Sequence, residues 1–314
     1  MDRPFDAQSN AAAAPTDFEL DALAARTLEE DGFRIDVTTL ATVPLDTVAD
    51  ARLVVKEDGI VAGLRLVERV FHTADPALSV TWTCADGEWL FSGTVIGHVV
   101  GSAHAILGAE RTALNFLQRM SGIATATRRM VRAAGDCGTH ILDTRKTAPG
   151  LRITDKWAVR LGGGRNHRFG LHTMILIKDN HIAVAGGVGA AIRAALVYRD
   201  REGLAVSIEV ETRTMDEVNE ALAAGGFDCI LLDNMVNVGT DGEVDTSMLR
   251  EALSLIDGQY PAEVSGNVTL KTIGAIAATG VDYVSCGALT HSVRALDISM
   301  DVVLTEKPQS RGLS

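Results

Sequence analysis

The feature that most constrains the fold is the alternation of short apolar runs with helical patterns after residue 139. The apolar runs lie at residues 140–144, 172–178, 204–211, 227–233, 261–266 and 282–287. Helical patterns follow near residues 152–161, 186–200, 214–224, 245–257 and 268–279. Parallel strands need long connections, which a helix usually provides. The second half of the chain therefore predicts parallel strands joined by crossover helices.

The part of the chain before residue 105 has no such alternation. Residues 17–32 predict an amphipathic helix with Asp17 as its N-cap, and residues 63–73 predict another helix. Residues 52–64 predict a strand, a turn at Asp58-Gly59 and a second strand. A long helical pattern then covers residues 105–134, with Ser121-Gly122 as the place where it could break. This part predicts an α+β unit.

Composition excludes several classes of protein. The 314 residues are 46% hydrophobic and 22% charged, as in globular proteins, and the net charge of −12 argues against general nucleic-acid binding. The four cysteines form no CxxC pair, which predicts free thiols and no zinc motif. The N-terminus lacks an apolar signal-peptide block, and no apolar run reaches a membrane span of roughly 18 residues. We therefore expect a cytoplasmic protein without a membrane segment.

Residues 143–181 form a basic segment inside this acidic chain. They contain eight Lys and Arg residues against three Asp residues. Cations that gather in a cleft focus the electric field on an anionic ligand. The segment therefore predicts a site for a small polyanion.

Polar and small residues follow each apolar run. These segments are Asp143–Lys146, Lys178–Asn180, Glu209–Glu211, Asp233-Asn234, Ser265–Asn267 and Ser285–Gly287. In a parallel α/β barrel the strand C-termini open on one face, where the active site forms. Glu211 and Asp233 offer the oxygen ligands that Mg²⁺ prefers, and small residues after a strand allow backbone N–H groups to reach a phosphate. Arg145, Arg168 and Lys178 suit carboxylates or phosphates. Together these residues predict phosphoryl-sugar chemistry with Mg²⁺.

Several of these residues have structural explanations that the sequence leaves open. Asp233 could cap the following turn, and Glu209 could be a solvated carboxylate. His181 could be a structural histidine, and the Cys286 side chain a small packing group.

Eight motifs occur in the order found in one known family. They are ERTALNFLQRMSGIAT (110–125), DTRKTAPGLR (143–152), K-AVR-GGG-NHR (156–168), LIKDNH (176–181), IEVET (208–212), LLDN (231–234), SGN (265–267) and GALTHS (287–292). Over residues 17–302 the chain resembles quinolinate phosphoribosyltransferase, the carboxylating nicotinate-nucleotide pyrophosphorylase. The resemblance implies an N-terminal α/β sandwich of residues 17–120, joined by residues 295–306, and an incomplete parallel α/β barrel of residues 121–294. Residues 1–16 have the composition of a disordered tail.

The resemblance also implies a reaction and its residues. Quinolinate and phosphoribosyl pyrophosphate would give nicotinate mononucleotide, pyrophosphate and CO₂ in NAD biosynthesis. The implied quinolinate pocket contains Arg145, His167, Arg168 and Lys178, and Arg111 would reach the neighbouring site in a homodimer or higher homo-oligomer. The implied site for phosphoribosyl pyrophosphate and Mg²⁺ contains Lys146, Glu211, Asp233, Ser265, Gly266, Gly287 and His291, and we add Thr144, Asn267 and Cys286 from the same segments. The predicted catalytic residues are Lys146, Lys178, Glu211 and Asp233, of which Glu211 and Asp233 are the predicted metal ligands.

Three other functions stay open at the level of sequence. One is a related family of phosphoribosyltransferase-like proteins linked to molybdenum transport, and another is a non-catalytic sensor of phosphoribosyl pyrophosphate or a nucleotide. The third is a nucleic-acid-binding module in residues 111–178, which hold 13 Lys and Arg residues against three acidic ones. That region lacks the interleaved aromatic residues that stack on bases.

Overall fold

The computed structural model describes residues 14–304, which form two compact units. One unit contains residues 14–125 and the segment that begins at residue 293, and the other contains residues 126–292. The first unit holds a small antiparallel sheet, and the second a six-stranded parallel sheet. The predicted α/β class, with a sheet domain followed by an incomplete barrel, is confirmed.

The elements are numbered here in chain order within the described residues. The strands are β1 (Val48–Val55), β2 (Gly59–Ile60), β3 (Ser79–Trp82), β4 (Trp89–Leu90), β5 (Val95–Ser102), β6 (His140–Leu142), β7 (Ile175–Ile177), β8 (Ile208–Thr212), β9 (Cys229–Asp233), β10 (Asn237–Val238), β11 (Val244–Asp245), β12 (Ala262–Ser265), β13 (Tyr283–Ser285) and β14 (Ile298–Leu304). The α-helices are α1 (Asp17–Asp31), α2 (Val37–Thr42), α3 (Leu64–Ala74), α4 (Ala103–Ala134), α5 (Arg152–Leu161), α6 (Asp179–Ala185), α7 (Val188–Arg201), α8 (Met215–Ala224), α9 (Ser247–Ile256), α10 (Ile273–Ala277) and α11 (Ala288–His291), and a 3₁₀ turn covers Phe33–Ile35.

The first helix begins one residue earlier than the sequence predicts. Thr16, not Asp17, is the N-cap of α1, because its hydroxyl accepts a hydrogen bond from the Glu19 backbone N–H (3.3 Å). The Glu19 carboxylate accepts one in return from the Thr16 backbone N–H (2.8 Å), which completes a capping box. Thr16 therefore belongs to an ordered cap rather than to a disordered tail. Residues 1–13 of the predicted tail lie outside the described part of the chain.

The antiparallel sheet has the strand order β14-β1-β5-β3. Strand β1 pairs with β14 on one side and with β5 on the other, so both of its edges are occupied. The short strand β2 pairs instead with β4. The hairpin predicted for residues 52–64 is therefore wrong, because its two strands pair with partners elsewhere in the chain.

Helix α4 is continuous through Ser121-Gly122, where the sequence allowed a break. The Ser121 hydroxyl accepts a hydrogen bond from the Ala62 backbone N–H (3.0 Å). At Gly122 a Cβ would lie 2.2 Å from the Arg294 carbonyl oxygen. These two small residues serve close packing within the first unit rather than a helix break.

The parallel sheet has the order β6-β13-β12-β9-β8-β7. Strands β7, β8, β9, β12 and β13 are neighbours in chain order, and the first strand, β6, pairs with the last, β13. The sheet therefore resembles an α/β barrel that is open between β6 and β7. The Arg165 segment lies against β6, with its backbone N–H donating to the Ile141 carbonyl (2.8 Å). All six predicted apolar runs overlap an observed strand. The helix predicted at 186–200 is preceded by α6, which the sequence did not predict.

In residues 14–304, no single helix is long and apolar enough to cross a membrane. The pair α6 and α7, bent by 91°, meets the length and composition criteria only when the two are taken together.

Candidate active site

The parallel strands all end at one edge of the sheet, and the polar segments singled out in the sequence lie at or directly after those ends. Side chains alternate between the two faces of a strand. On β8 this places Glu209 and Glu211 on the same face, and both are buried. The candidate site is built on these strand ends within residues 126–292.

Asp143, the first residue after β6, is fully buried and lies at the centre of a hydrogen-bond network. Its carboxylate forms an ion pair with the buried Lys156 ammonium and accepts from Asn166 Nδ2 (2.5 Å) and the His167 backbone N–H (2.9 Å). Lys156 also donates to the His167 carbonyl (3.0 Å). Burial raises the pKa of Asp143 and lowers the pKa of Lys156, although each is the other's counter-charge. The network fixes the backbone just before Arg168.

Arg168 and Arg145 form a pair of cations near this network. Arg168 is only 7% exposed, and its Nη1 donates to the Met174 carbonyl (3.2 Å). Burial, and to a smaller extent repulsion from Arg145, lowers the pKa of Arg168. Arg145 Nε is buried without a hydrogen-bond partner among residues 14–304, and within the same range neither guanidinium has an ion-pair partner. Two partly desolvated cations that form no ion pair within residues 14–304 suit a ligand that carries two negative charges.

The His167 ring lies between the Arg168 backbone and two buried carboxyl groups. Its Nδ1 accepts a hydrogen bond from the Arg168 backbone N–H (2.7 Å), so in the neutral ring the proton is on Nε2. Nε2 lies 3.0 Å from Glu209 Oε2 and 3.5 Å from Glu263 Oε2. Burial lowers the pKa of His167, which favours the neutral ring. Among the described residues these three side chains lie close enough to bind a metal, but a protonated Nε2 has no lone pair for one.

Glu209 and Glu263 are both fully buried on the inner face of the sheet. Burial raises the pKa of Glu209 to about 7 and the pKa of Glu263 to about 8. Interpretation of Glu209 as a solvated carboxylate is therefore wrong. Glu263 is not among the predicted site residues, although the sequence shows it as an acidic residue inside the apolar strand pattern of residues 261–266.

A second group of charges lies at the ends of β7, β8 and β9. Lys178 Nζ donates to Glu211 Oε2 (2.5 Å). Arg213, which the sequence analysis did not select, contacts Asp179, Glu211 and Asp233 through its three nitrogens. Since oxygens of Glu211 and Asp233 lie 3.2 Å from one guanidinium, they converge on a single cation. This convergence of hard oxygen donors fits a Mg²⁺ ion.

The loop after β12 is held tightly against the loop after β9. Gly266 has φ +88°, and a Cβ there would lie 2.1 Å from Asn234 Oδ1. The Asn234 backbone N–H donates to the Ser265 carbonyl (2.9 Å), and Asn267 Nδ2 donates to the Val236 carbonyl (2.9 Å). Only glycine allows both this backbone conformation and this approach.

The segment after β13 brings Lys146, Gly287 and His291 together. A Cβ at Gly287 would lie 2.9 Å from Lys146 Cδ and 3.1 Å from His291 Cδ2. The Thr290 hydroxyl donates to the Lys146 carbonyl (2.9 Å). In contrast, the Cys286 thiol is buried and faces the Val268 carbonyl (3.7 Å), and burial raises its pKa.

Two further residues of the predicted set, Thr144 and Arg111, belong to different units. The Thr144 hydroxyl accepts from the Lys146 backbone N–H (3.0 Å), which shapes the turn after β6. Arg111 is exposed on α4, in the unit that contains residues 14–125.

Comparison with known proteins places this arrangement in a family. Residues 36–121 match the model of the quinolinate phosphoribosyl transferase N-terminal domain, and residues 123–301 match that of its C-terminal domain. The chain belongs to the quinolinate phosphoribosyltransferase family.

Similar members of this family include plant and bacterial proteins. The mitochondrial decarboxylating quinolinate phosphoribosyltransferase 2 of Nicotiana glauca is 51% identical over 296 residues, which cover 92% of this chain and 84% of the relative. The chloroplastic carboxylating nicotinate-nucleotide pyrophosphorylase of Arabidopsis thaliana is 50% identical, with 91% of this chain and 83% of the relative covered. The crystal structure of NadC from Streptococcus pyogenes has a TM-score of 0.85 at 39% identity and covers 94% of this chain and all of that one.

These relatives contradict the expected cytoplasmic location. The Nicotiana glauca relative is mitochondrial and the Arabidopsis thaliana relative chloroplastic. The expectation used the absence of an apolar secretory pattern, but mitochondrial and chloroplast transit peptides are amphipathic and rich in Arg and Ser. Absence of a secretory pattern therefore gives no information about these organelles.

Proposed function

We propose that this chain transfers the phosphoribosyl group of phosphoribosyl pyrophosphate to the ring nitrogen of quinolinate, with loss of CO₂. The products are nicotinate mononucleotide and pyrophosphate, and the reaction belongs to NAD biosynthesis. The observation that carries the substrate assignment is the cation pair Arg145 and Arg168, which has no ion-pair partner among residues 14–304. A dicarboxylate needs such a pair, because a buried charge without a counter-charge is costly. The arginine fork also suits bidentate binding of a carboxylate.

The first step forms a bond between the quinolinate nitrogen and the ribose carbon, and the bond from that carbon to the pyrophosphate oxygen breaks. We assign Arg145, Arg168 and Lys178 to the two carboxylates of quinolinate. Lys146, which lies beside Gly287 and His291, would stabilise negative charge on the departing pyrophosphate. The loops at residues 265–267 and 286–288 would offer backbone N–H groups to phosphates.

The second step breaks the bond between the ring and the neighbouring carboxylate. Carbon dioxide leaves, its bonding electron pair stays on the ring carbon, and a proton then replaces the lost group. The adjacent ring nitrogen has become cationic in the first step and stabilises that electron pair. The protein therefore needs only to hold the ring and its remaining carboxylate in place.

Mg²⁺ is the proposed cofactor, and Glu211 and Asp233 are its proposed ligands. The support is the convergence of oxygens from both residues on one guanidinium, 3.2 Å from each. When bound, Mg²⁺ would neutralise the pyrophosphate charge. Since the Glu211 side chain is 4% exposed and that of Asp233 is 14% exposed, both carboxylates are held in largely fixed positions.

A homodimer or higher homo-oligomer, with Arg111 supplied by a neighbouring subunit, is part of the proposal. Arg111 is exposed and belongs to the first unit, whereas the strand-end residues all belong to residues 126–292. If Arg111 acts in trans, mixing inactive Arg111→Ala and Lys146→Ala subunits restores part of the activity. No recovery in mixed oligomers of confirmed composition would count against the trans arrangement.

The decisive experiment measures products from quinolinate and phosphoribosyl pyrophosphate with Mg²⁺, next to an assay with nicotinate in place of quinolinate. We expect nicotinate mononucleotide and one CO₂ per turnover from quinolinate, and no product from nicotinate. Binding of phosphoribosyl pyrophosphate without turnover of either acid would instead indicate a sensor.

A further inference from the structure

Arg213 follows β8 directly and lies among three carboxylates. Its Nη1 is 2.8 Å from Asp179 Oδ2, its Nη2 is 3.2 Å from Glu211 Oε1, and its Nε is 3.2 Å from Asp233 Oδ2. Lys178 occupies the other oxygen of Glu211 (2.5 Å). Both oxygens of the Glu211 carboxylate therefore already have a cationic partner.

The oxygens that Arg213 contacts include those that the proposed metal site would use. Two cations that share the same oxygens repel each other at short range, and a guanidinium keeps its charge at any physiological pH. A divalent cation and Arg213 therefore cannot both have full contact with Glu211 and Asp233. One of them has to give up these contacts when the other forms them.

The position of Arg213 allows it to be the one that moves. Its side chain is 46% exposed, and it lies between the end of β8 and the beginning of α8. Its backbone N–H donates to Glu217 Oε2 (2.6 Å), so the backbone stays fixed while the side chain turns. Release of the guanidinium does not require any core residue to unpack.

We propose that Arg213 competes with Mg²⁺ for the oxygens of Glu211 and Asp233. Because of this competition, free Mg²⁺ binds weakly, whereas the complex of Mg²⁺ with phosphoribosyl pyrophosphate binds tightly. This inference rests on the proposed function. The incoming polyanion supplies phosphate oxygens, with which Arg213 pairs when it releases the carboxylates. The metal then enters the site together with its substrate rather than ahead of it. Arg213 thus determines which form of the cation the site accepts.

The test is a binding titration of the full chain with Mn²⁺, a paramagnetic substitute for Mg²⁺, and electron paramagnetic resonance monitors the binding. We expect Arg213→Gln to bind free Mn²⁺ about 10-fold more tightly than the wild type, or more, because the competing charge is removed. Arg213→Lys keeps a charge but cannot span three carboxylates, so its affinity should lie in between. Arg201→Gln is the matched control, since Arg201 is exposed, pairs with Glu202 (2.8 Å) and lies at the far end of α7.

Two further measurements test whether the gain in Mn²⁺ affinity arises at the proposed metal site. Adding Asp233→Asn to Arg213→Gln should abolish the gain in Mn²⁺ affinity. With phosphoribosyl pyrophosphate present, the difference between Arg213→Gln and the wild type should disappear or reverse, because Arg213 then contributes to anion binding.

An unchanged or weaker Mn²⁺ affinity in folded Arg213→Gln would overturn the inference, and a weaker one would make Arg213 a clamp that positions the carboxylates. Product formation from quinolinate is measured on the same wild-type preparation. Normal turnover without a gain in Mn²⁺ affinity refutes the competition alone. Absence of turnover refutes the proposed function separately.

Discussion

Replacing Lys156 with methionine tests whether the Asp143 network supports the basic pocket. Methionine has a similar length but no charge, so Lys156→Met leaves the Asp143 carboxylate, which is 0% exposed, without its counter-charge. Removal of one partner from a buried ion pair costs about 3 to 5 kcal/mol. The Asn166 and His167 donors still bind the carboxylate at 2.5 and 2.9 Å. We therefore expect a loss near the lower limit, about 3 kcal/mol.

The assay is equilibrium unfolding in urea, monitored by tryptophan fluorescence, to which Trp157, 9% exposed in the native protein, contributes together with Trp82 and Trp89. Lys271→Met, at an exposed lysine of the same unit, is the control and should change the unfolding free energy by no more than about 0.5 kcal/mol. Adding Asp143→Asn to Lys156→Met removes the unpaired charge, so the double variant should be more stable than Lys156→Met alone.

Two results would refute this reasoning. One is a loss below about 1 kcal/mol for Lys156→Met, which would mean that the ammonium contributes little beyond its desolvation cost. The other is a double variant that is less stable than Lys156→Met, which would mean that the unpaired carboxylate is not the source of the loss. Because Lys156 also binds the His167 carbonyl, we expect the same variant to weaken quinolinate binding.

Three other predictions follow from the same structure. Burial raises the pKa of Glu263 from 4.5 to about 8, so the folded chain binds this proton more strongly than the unfolded chain does, and the group lowers stability as the pH rises from 5 to 8. In urea unfolding at both pH values, the unfolding free energy of Glu263→Gln should rise relative to that of the wild type by at most about 4 kcal/mol between pH 5 and pH 8. An unchanged difference between the two proteins would contradict the raised pKa. Gly266→Ala should abolish binding of phosphoribosyl pyrophosphate in calorimetry, whereas Gly258→Ala, at a similar φ of +68° but with open space around it, should bind normally; equal affinities would show that close approach to Asn234 is unimportant. Arg168→Gln should lower kcat/KM for quinolinate by a factor that corresponds to about 2 to 5 kcal/mol, and a change as small as that of Arg201→Gln would remove Arg168 from the pocket.

The parallel sheet could be predicted from the sequence because its signals are local. Each strand is a short apolar run that ends at polar residues, as at Ile230–Asp233, and buried strands of this kind differ clearly from the helical segments between them. The antiparallel sheet could not be predicted in the same way. Strand β1 has an ordinary apolar pattern, but its partner β14 lies at the other end of the chain, and no local rule connects them.

The residues of the candidate site also fall into two groups, those that a local sequence pattern predicts and those that it does not. Residues such as Arg145, Lys178 and Asp233 follow apolar runs, so the sequence alone draws attention to them. Arg213 also follows such a run, but its contacts with three carboxylates depend on how β7, β8 and β9 lie side by side. Glu263 lies inside an apolar run, where an acidic residue is usually taken as a sign of exposure, and only the packed barrel interior shows that it is fully buried.

The pairing of β14 with β1 also sets the order in which the chain can fold during synthesis. Residues 126–292 form the barrel unit, so this unit needs none of the residues that are synthesised after residue 292. The sheet of the first unit has to wait for Ile298–Leu304, although its other strands were made first. Until then β1 has an unpaired edge, which is a site for pairing with other chains. The unit that is synthesised first is therefore completed last, and β1 keeps an unpaired edge until Ile298–Leu304 has been made.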